Sequence, residues 1–353
     1  MKQKIVVIGG GLSGLLIASR LKNGGYFVQI VEARERIGGR IYTKMVNDTP
    51  VEMGATWFGN QHTNLLALLN ELELPYFEQY MKGTAFFEAF SAAPPQPVQI
   101  PTDTPSYRIK GGTSTLINAL ATSLSDNEMI LNEAVTELIF DEEKVRVKTI
   151  NHIIKADLVI STLPPALLIN AVLFSPQGLP TELMTIAKST QTWMQDSVKV
   201  ALVYAKPFWR ERNLSGTIFS NVGPVTEFYD QSNYENSRYA LCGFITGNLN
   251  LLPLQQRQQH VLKQLVKIFG NDANEYLNYE EVIWGKEQYT KSELQNSASV
   301  FPHQNNGHQV YGQSYFDNRL FLAGTETANT YPGYMEGAVV AANSVVNKIK
   351  ELN

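Results

Sequence analysis

The chain is poor in the residues that build disulfides and metal centres. Cys242 is the single cysteine in 353 residues, and histidine occurs five times. One thiol cannot close an internal disulfide, and no histidine stands at a metal-ligand spacing, so a disulfide framework and a zinc site are excluded. The expectation is no metal and a reducing, cytoplasmic setting. Charge of one sign is also scarce. Lys plus Arg number 29 against 33 Asp plus Glu, a net charge of −4, and such a balance offers nucleic acid no basic field. Long unbroken apolar runs are missing too. The N-terminal MKQKIVVIGGGLSGLLIAS is interrupted by three consecutive glycines and lacks a small-residue cleavage site before Arg20, unlike a signal peptide. Residues 158–180 carry no charge, yet Pro164, Pro165, Asn170 and Pro176 break any spanning helix. No membrane segment is expected.

What is present is core material, with 44% hydrophobic and 10% aromatic residues. The length exceeds the roughly 250–300 residues at which one core stops growing, which implies two closely associated domains. Residues 4–8, KIVVI, read as a strand buried on both faces. Gly9, Gly11 and Gly14 follow as G-x-G-x-x-G, opening on Leu12 and Ser13; a helical period then runs to Asn23. A second apolar run, residues 27–31, ends in Glu32 and Ala33. Strand, glycine turn, helix, strand and acid within one unit make the dinucleotide fingerprint. Gly9 permits the tight turn, Gly11 lets backbone approach a pyrophosphate, and Gly14 lets helix pack on strand. The helix N-terminus supplies unpaired N–H groups for phosphate, and Glu32 suits ribose hydroxyls while repelling a 2′-phosphate.

Three further blocks extend this site. EARERIGGRIYT, residues 32–43, adds Gly38–Gly39 backbone and the Arg34 and Arg40 guanidinia, which can clamp phosphate; Arg36 fits a solvated charge. VEMGATWFG, residues 51–59, places Gly54, Ala55 and Thr56 where a flat ring can lie against backbone, with Trp57 beside them. Near the C-terminus RLFLA, residues 319–323, reads as another buried strand leading into Gly324 and Glu326. A helix is expected to start at or near Pro332, with Ala338, Val339, Ala342, Val345, Val346 and Ile349 on one face. Its N-terminus would stabilise negative charge on a ligand. On the residues alone, Met335 fits core packing as well as a ligand contact.

The middle of the chain holds one unusual residue. In SVKVALVYAKPFW, residues 197–209, both faces of the strand are apolar except for Lys199. A lysine there snorkels to solvent, or it is buried and loses its proton readily. Residues 62–74 and the stretch after Gly112 carry helical periods, residues 129–140 and 145–154 read as strands, and residues 156–161 as a buried strand. The proline-rich stretch 91–105 reads as a linker or surface loop, and the glutamine-rich patch 254–260 as a helix surface.

VVIGGGLSGLLIASRL, VEARERIGGRIYT, VEMGATWFG and FLAGTETANTYPGYMEGAVVAA, in this order from residue 4 to about 350, resemble the flavin-containing amine oxidase family. The resemblance implies an α/β fold. Its Rossmann-type, doubly wound FAD-binding domain would be built from non-contiguous segments (1–75, 108–165 and 276–353). A mixed-sheet plus helix substrate domain (76–107 and 166–275) would carry a shortened helical lobe. It implies Val135 near the adenine, Thr162 in a loop of the FAD domain, and Glu326 beside the ribityl–pyrophosphate. It also implies Met335 backbone at the isoalloxazine and Trp284 opening a W-x-x-x-Q-Y stretch. Lys199, ten residues before Trp209, matches the family lysine that holds a water against flavin N5. Trp57 and Tyr334 would face the substrate; composition alone allows Tyr334 to be an amphipathic ring at a helix start.

Two departures accompany the resemblance. Residues 295–302, QNSASVFP, contain no cysteine for a flavin bond, and Ser297 stands near the place of the second cage aromatic. FAD would therefore be non-covalent. The long, mostly helical insertion of many members is reduced to residues 76–107. The implied activity is oxidation of a small-molecule amine by hydride transfer from its α-carbon to flavin N5, imine hydrolysis, and reoxidation by oxygen to hydrogen peroxide. A flavin desaturase acting on a C–C bond, or a flavin-bound protein without catalysis, are the alternatives.

Overall fold

The computed structural model describes residues 2–101, 103–292 and 301–352. The first apolar run forms strand β1 (Lys4–Ile8), followed by helix α1 (Leu12–Asn23) and strand β2 (Phe27–Val31). Side chains alternate along β1, so Ile5 and Val7 enter one core while Val6 and Ile8 enter another. This two-sided burial is why the run is almost wholly apolar. β1 is the third strand of a six-stranded sheet in the order Met129–Ile130, β2, β1, Leu158–Ser161, Leu320–Leu322, Ser314–Tyr315. All neighbours are parallel except the last pair. On one face lie α1, the Ser114–Ala121 helix and the C-terminal helix Met335–Glu351. On the other lies a four-stranded sheet that includes Val135–Phe140 and Leu173–Ser175. Both ends of the chain thus meet in one α/β unit.

A seven-stranded mixed sheet forms the second unit, in the order Tyr276–Ile283, Val198–Tyr204, Tyr239–Ile245, Val225–Asp230, Leu214–Ser220, Thr84–Glu88, Gln96–Val98. The amphipathic helix Leu254–Phe269 covers one face, packing Val261, Leu265 and Phe269 against Val198, Val200 and Leu202. The opposite face sets Ala201, Val203, Ala240 and Cys242 against Val46, Val51 and Met53 of the first unit. Among the described residues no helix is long and apolar enough to cross a membrane.

Several expectations need correction. The proline-rich stretch contains a strand, Gln96–Val98, paired with Ala85–Phe87; it is an edge strand, where Pro97 has no second neighbour to bond. No helical lobe exists among the described residues of 76–107. The segment forms short strands at Tyr76–Glu78, Thr84–Glu88 and Gln96–Val98 and the start of Ser106–Ile109. Tyr276–Ile283, expected in the FAD unit, pairs with Val198–Tyr204 in the other sheet. Leu173–Ser175, expected in the substrate unit, pairs with Val135–Phe140, and Leu168, Leu179 and Leu183 join that core. The expected strand over 129–140 is two, Met129–Ile130 and Val135–Phe140, in different sheets. The C-terminal helix starts at Met335 rather than at Pro332. Gly333 between them has φ +87°, a left-handed turn that helical geometry cannot include.

Candidate functional site

A cavity of about 780 Å³ lies between the two units, within the ~300–1,000 Å³ typical of ligand sites. Its floor is the glycine turn. A Cβ on Gly14 would stand 2.0 Å from the Gly9 carbonyl oxygen, so only glycine lets α1 seat so close to β1. Gly11 is the N-cap of α1 and supplies no side-chain acceptor. The first-turn amides, Leu12 and Ser13 among them, are thereby left for a ligand. A second helix begins at the same cavity: Met335 lines it, and its N-cap Tyr334 also provides no side-chain cap.

Polar side chains of the first unit are held before any ligand arrives. Buried Glu32 accepts hydrogen bonds from Gly10 N–H at 2.7 Å and Arg34 N–H at 2.9 Å. Thr162 Oγ1 donates to the Ile8 carbonyl at 2.8 Å, fixing the strand end under the turn. Arg40 pairs two-pronged with the fully buried Glu326 at 2.5 and 3.0 Å, and it also donates to the Trp193 carbonyl at 3.1 Å. This pair anchors the arginine between segments from opposite ends of the sequence.

The roof carries Lys199, wholly buried on a strand whose seven residues are all buried. Its Nζ donates to the Gly54 carbonyl at 2.7 Å and to Thr56 Oγ1 at 2.5 Å. The ring centroids of Trp57 and Phe244 lie 4.5 and 4.8 Å away. Burial pulls the Lys199 pKa below its ordinary value of 10.5, partly opposed by Cys242, Glu52 and Glu227. Beneath it, burial raises Glu52 against the hydrogen bonds it accepts from Thr113 and Thr43, and pushes the Cys242 thiol up to about 11.

Sixteen of the sequence-derived candidates line this one cavity: Gly9, Gly11, Leu12, Ser13, Glu32, Arg34, Gly39, Arg40, Gly54, Ala55, Thr56, Trp57, Thr162, Lys199, Tyr334 and Met335. Six others do not. Gly14 serves the helix–strand contact, and Ala33 is half-buried beside Glu32. Val135 begins a strand of the four-stranded sheet and is packed in the core between that sheet and the six-stranded one. A Cβ on Gly324 would stand 3.0 Å from the Leu163 carbonyl, and Glu326 acts through Arg40. Trp284 is fully buried and donates to the Met53 carbonyl at 2.8 Å, propping the segment that receives Lys199. Ser297 lies outside the described residues.

Other lining residues had no signal in the sequence. Trp193 stands 5.5 Å from Tyr334, centroid to centroid, and stacks on His303 at 4.9 Å. Gln79 accepts the Trp57 indole N–H at 2.9 Å, and Tyr229 packs on Trp57 at 4.8 Å. Phe219, Glu227 and Phe244 complete the roof. They sit on separate strands, and only the pairing of those strands brings them together. Among the described residues no group of three or more His, Cys, Asp or Glu is placed to hold a metal.

A mostly parallel sheet with an uncapped glycine-turn helix, closed by a mixed sheet over a long cavity, is the α/β FAD-binding fold. The model of the flavin containing amine oxidoreductase family matches residues 12–99 and 96–350. The chain belongs to this family of flavoenzymes. It is 25% identical to amine oxidase (flavin-containing) B of Homo sapiens, over 99% of this chain and 86% of that protein. It is 23% identical to the probable flavin-containing monoamine oxidase A of Dictyostelium discoideum, over 98% and 97%. The latter alignment runs over 452 residues, longer than this chain, so the relative contains insertions that this chain lacks. Among solved structures, wild-type putrescine oxidase bound to putrescine superposes with a TM-score of 0.85 at 22% identity, covering 99% of each chain. Cyclohexylamine oxidase from Brevibacterium oxydans IH-35A gives 0.86 at 19%, covering 100% of this chain and 99% of that one.

Proposed function

We propose that the protein is an FAD-dependent amine oxidase that takes a small-molecule amine into the roof half of the cavity. The residues fit the cofactor: the glycine turn, which a Cβ would close, and the uncapped start of α1 suit its pyrophosphate. Glu32 suits the adenosine ribose and Arg40 the phosphate side, while the Gly54–Thr56 backbone and the start of the C-terminal helix suit the ring. FAD is held without a covalent bond, since neither Cys242 nor any histidine lines the cavity. When bound, FAD would supply the electron acceptor for hydride from the amine α-carbon, with oxygen as the terminal acceptor and hydrogen peroxide as its product.

The observation that carries this reading is Lys199. A neutral amine has two N–H bonds and one lone pair. The Gly54 carbonyl and Thr56 Oγ1 take both N–H bonds, and the Thr56 hydroxyl spends its own proton on the Gly54 carbonyl at 3.1 Å. The Nζ lone pair is therefore left for a water in the cavity, and burial favours this uncharged form. Trp57 and Tyr229 wall the same space, excluding bulk water from an amine bound without its proton. Anaerobic titration of the purified yellow protein with a panel of primary amines tests the assignment. Bleaching of the flavin band, followed by peroxide on admitting air, is expected; bleaching by no amine refutes it.

A further inference from the structure

A row of side chains crosses the roof sheet in register. Lys199 pairs with Phe244, Phe244 with Glu227, and Glu227 with Phe219, on four successive strands. Directly opposite residues of antiparallel strands share a face, and all four line the cavity. Two strand spacings put the Lys199 and Glu227 backbones about 9–10 Å apart. Glu227 is thus a half-buried carboxylate flanked by Phe244 and Phe219, two strands from Lys199, and among the described residues it makes no ion pair. Tyr229 donates its hydroxyl to Glu227 Oε2 at 2.8 Å, fixing the carboxylate and leaving Oε1 unengaged. The Tyr229 ring in turn packs on Trp57 at 4.8 Å and on Phe219 at 5.9 Å. A carboxylate held in such surroundings is costly until a cation completes it, and the aromatic faces around it favour an ammonium.

We infer that Glu227, oriented by Tyr229, is the subsite for a second, non-reacting ammonium group, so that the preferred substrate is an α,ω-diamine. This rests on the amine-oxidase reading above and names its substrate class. With the reacting carbon near Lys199, the span suits a diamine of about four to six methylenes, built from C–C bonds of about 1.5 Å. The same carboxylate disfavours an amine that carries an acid at its far end.

The test uses the FAD-loaded full chain with 1,5-diaminopentane, 1-aminopentane and 5-aminopentanoate. The half-saturating concentration for anaerobic flavin bleaching is expected to be at least about tenfold lower for the diamine than for the monoamine, a gap of about 1.4 kcal/mol, with the amino acid poorest. Glu227→Gln should bring the diamine-to-monoamine ratio near one. An equal wild-type response to diamine and monoamine overturns the inference. So does an equal shift of both by the variant, since Glu227 would then act only through the charge of Lys199. If no amine bleaches the flavin, calorimetric binding of 1,5-diaminopentane separates the two claims. Heat lost in Glu227→Gln upholds the subsite although the oxidase reading falls, and no heat with wild type overturns both. Should Glu227→Gln fail to load FAD, Glu227→Asp withdraws the charge by one methylene. It must move the preferred diamine to a longer chain; an unchanged optimum overturns the inference.

Discussion

Lys199 joins a proposed chemical role to a cost of folding. Its amine is removed from water and given two acceptors and two aromatic faces, an arrangement that packing alone would fill better with methionine. Lys199→Met should leave FAD bound, with an unchanged absorbance ratio at 280 and 450 nm, yet slow amine-dependent peroxide release by about 10²-fold or more, the scale of a positioned proton-handling group. The same variant has a signature in stability. The folded pKa lies below 10.5, so between that depressed value and 10.5 the unfolded chain binds a proton that the folded chain does not. Wild-type stability relative to the variant therefore rises with pH through this window and levels off above it. Urea unfolding of both proteins from pH 7 to 10.5 reads that slope, and parallel curves would place the lysine in solvent. Glu32 is the second residue whose bonds are made in advance. Losing its two backbone donors and its charge, Glu32→Ala should weaken FAD binding about 10–100-fold, from the ~1.5–3 kcal/mol of a hydrogen bond involving a charged group. Flavin fluorescence during reconstitution of the apoprotein measures it.

At the scale of elements, long-range caps join pieces that local sequence keeps apart. The helix Thr63–Glu71 has no side-chain cap of its own. Instead Glu336, in the first turn of the C-terminal helix, accepts from Asn64 N–H at 3.0 Å, Asn64 Nδ2 at 2.7 Å and Leu65 N–H at 2.7 Å. A fully buried carboxylate thereby meets the positive end of another helix, and Glu336→Gln should cost about 1–3 kcal/mol. A lower urea midpoint at unchanged m-value is the expected reading, and an unmoved midpoint would mean that water satisfies those donors equally well. Glu336 also illustrates what a sequence conceals. β1, α1, β2 and the buried face of the C-terminal helix are legible, because each announces itself by its own period and stop residues. The Lys199 strand is legible because both faces are apolar. Nothing local ties Glu336 to Asn64, Phe244 to Lys199 or Trp193 to Tyr334, since those meetings depend on pairings set elsewhere in the fold. Pro97 and Pro332 mislead for a related reason. Each is read by its usual habit, as loop or helix start, while an edge position and the Gly333 turn decide the outcome.

For the whole molecule, the cavity is lined by the beginning, the middle and the end of the chain alike. Its floor comes from β1, α1 and β2, its roof from the seven-stranded sheet, and its far end from the C-terminal helix. A ligand filling it must therefore stabilise both units together, by about 2.7 kcal/mol at a concentration one hundred times its dissociation constant. On the proposed reading the site should also discriminate between ligands. FMN lacks the adenosine half that Glu32 and the glycine turn would hold, and NAD lacks the ring that the Gly54–Thr56 backbone and Met335 would flank. In melting curves of the apoprotein, FAD should raise the transition of the whole chain in proportion to the logarithm of its concentration. FMN and NAD should move it far less. Tryptophan fluorescence reports Trp57, Trp193, Trp209 and Trp284, and far-ultraviolet dichroism reports the helices and sheets of both units, so with FAD bound the two signals should melt together. Two separated transitions, or equal protection by FMN, would mean that the dinucleotide does not bridge the units, and the assembly of the site from both ends of the chain would lose its purpose.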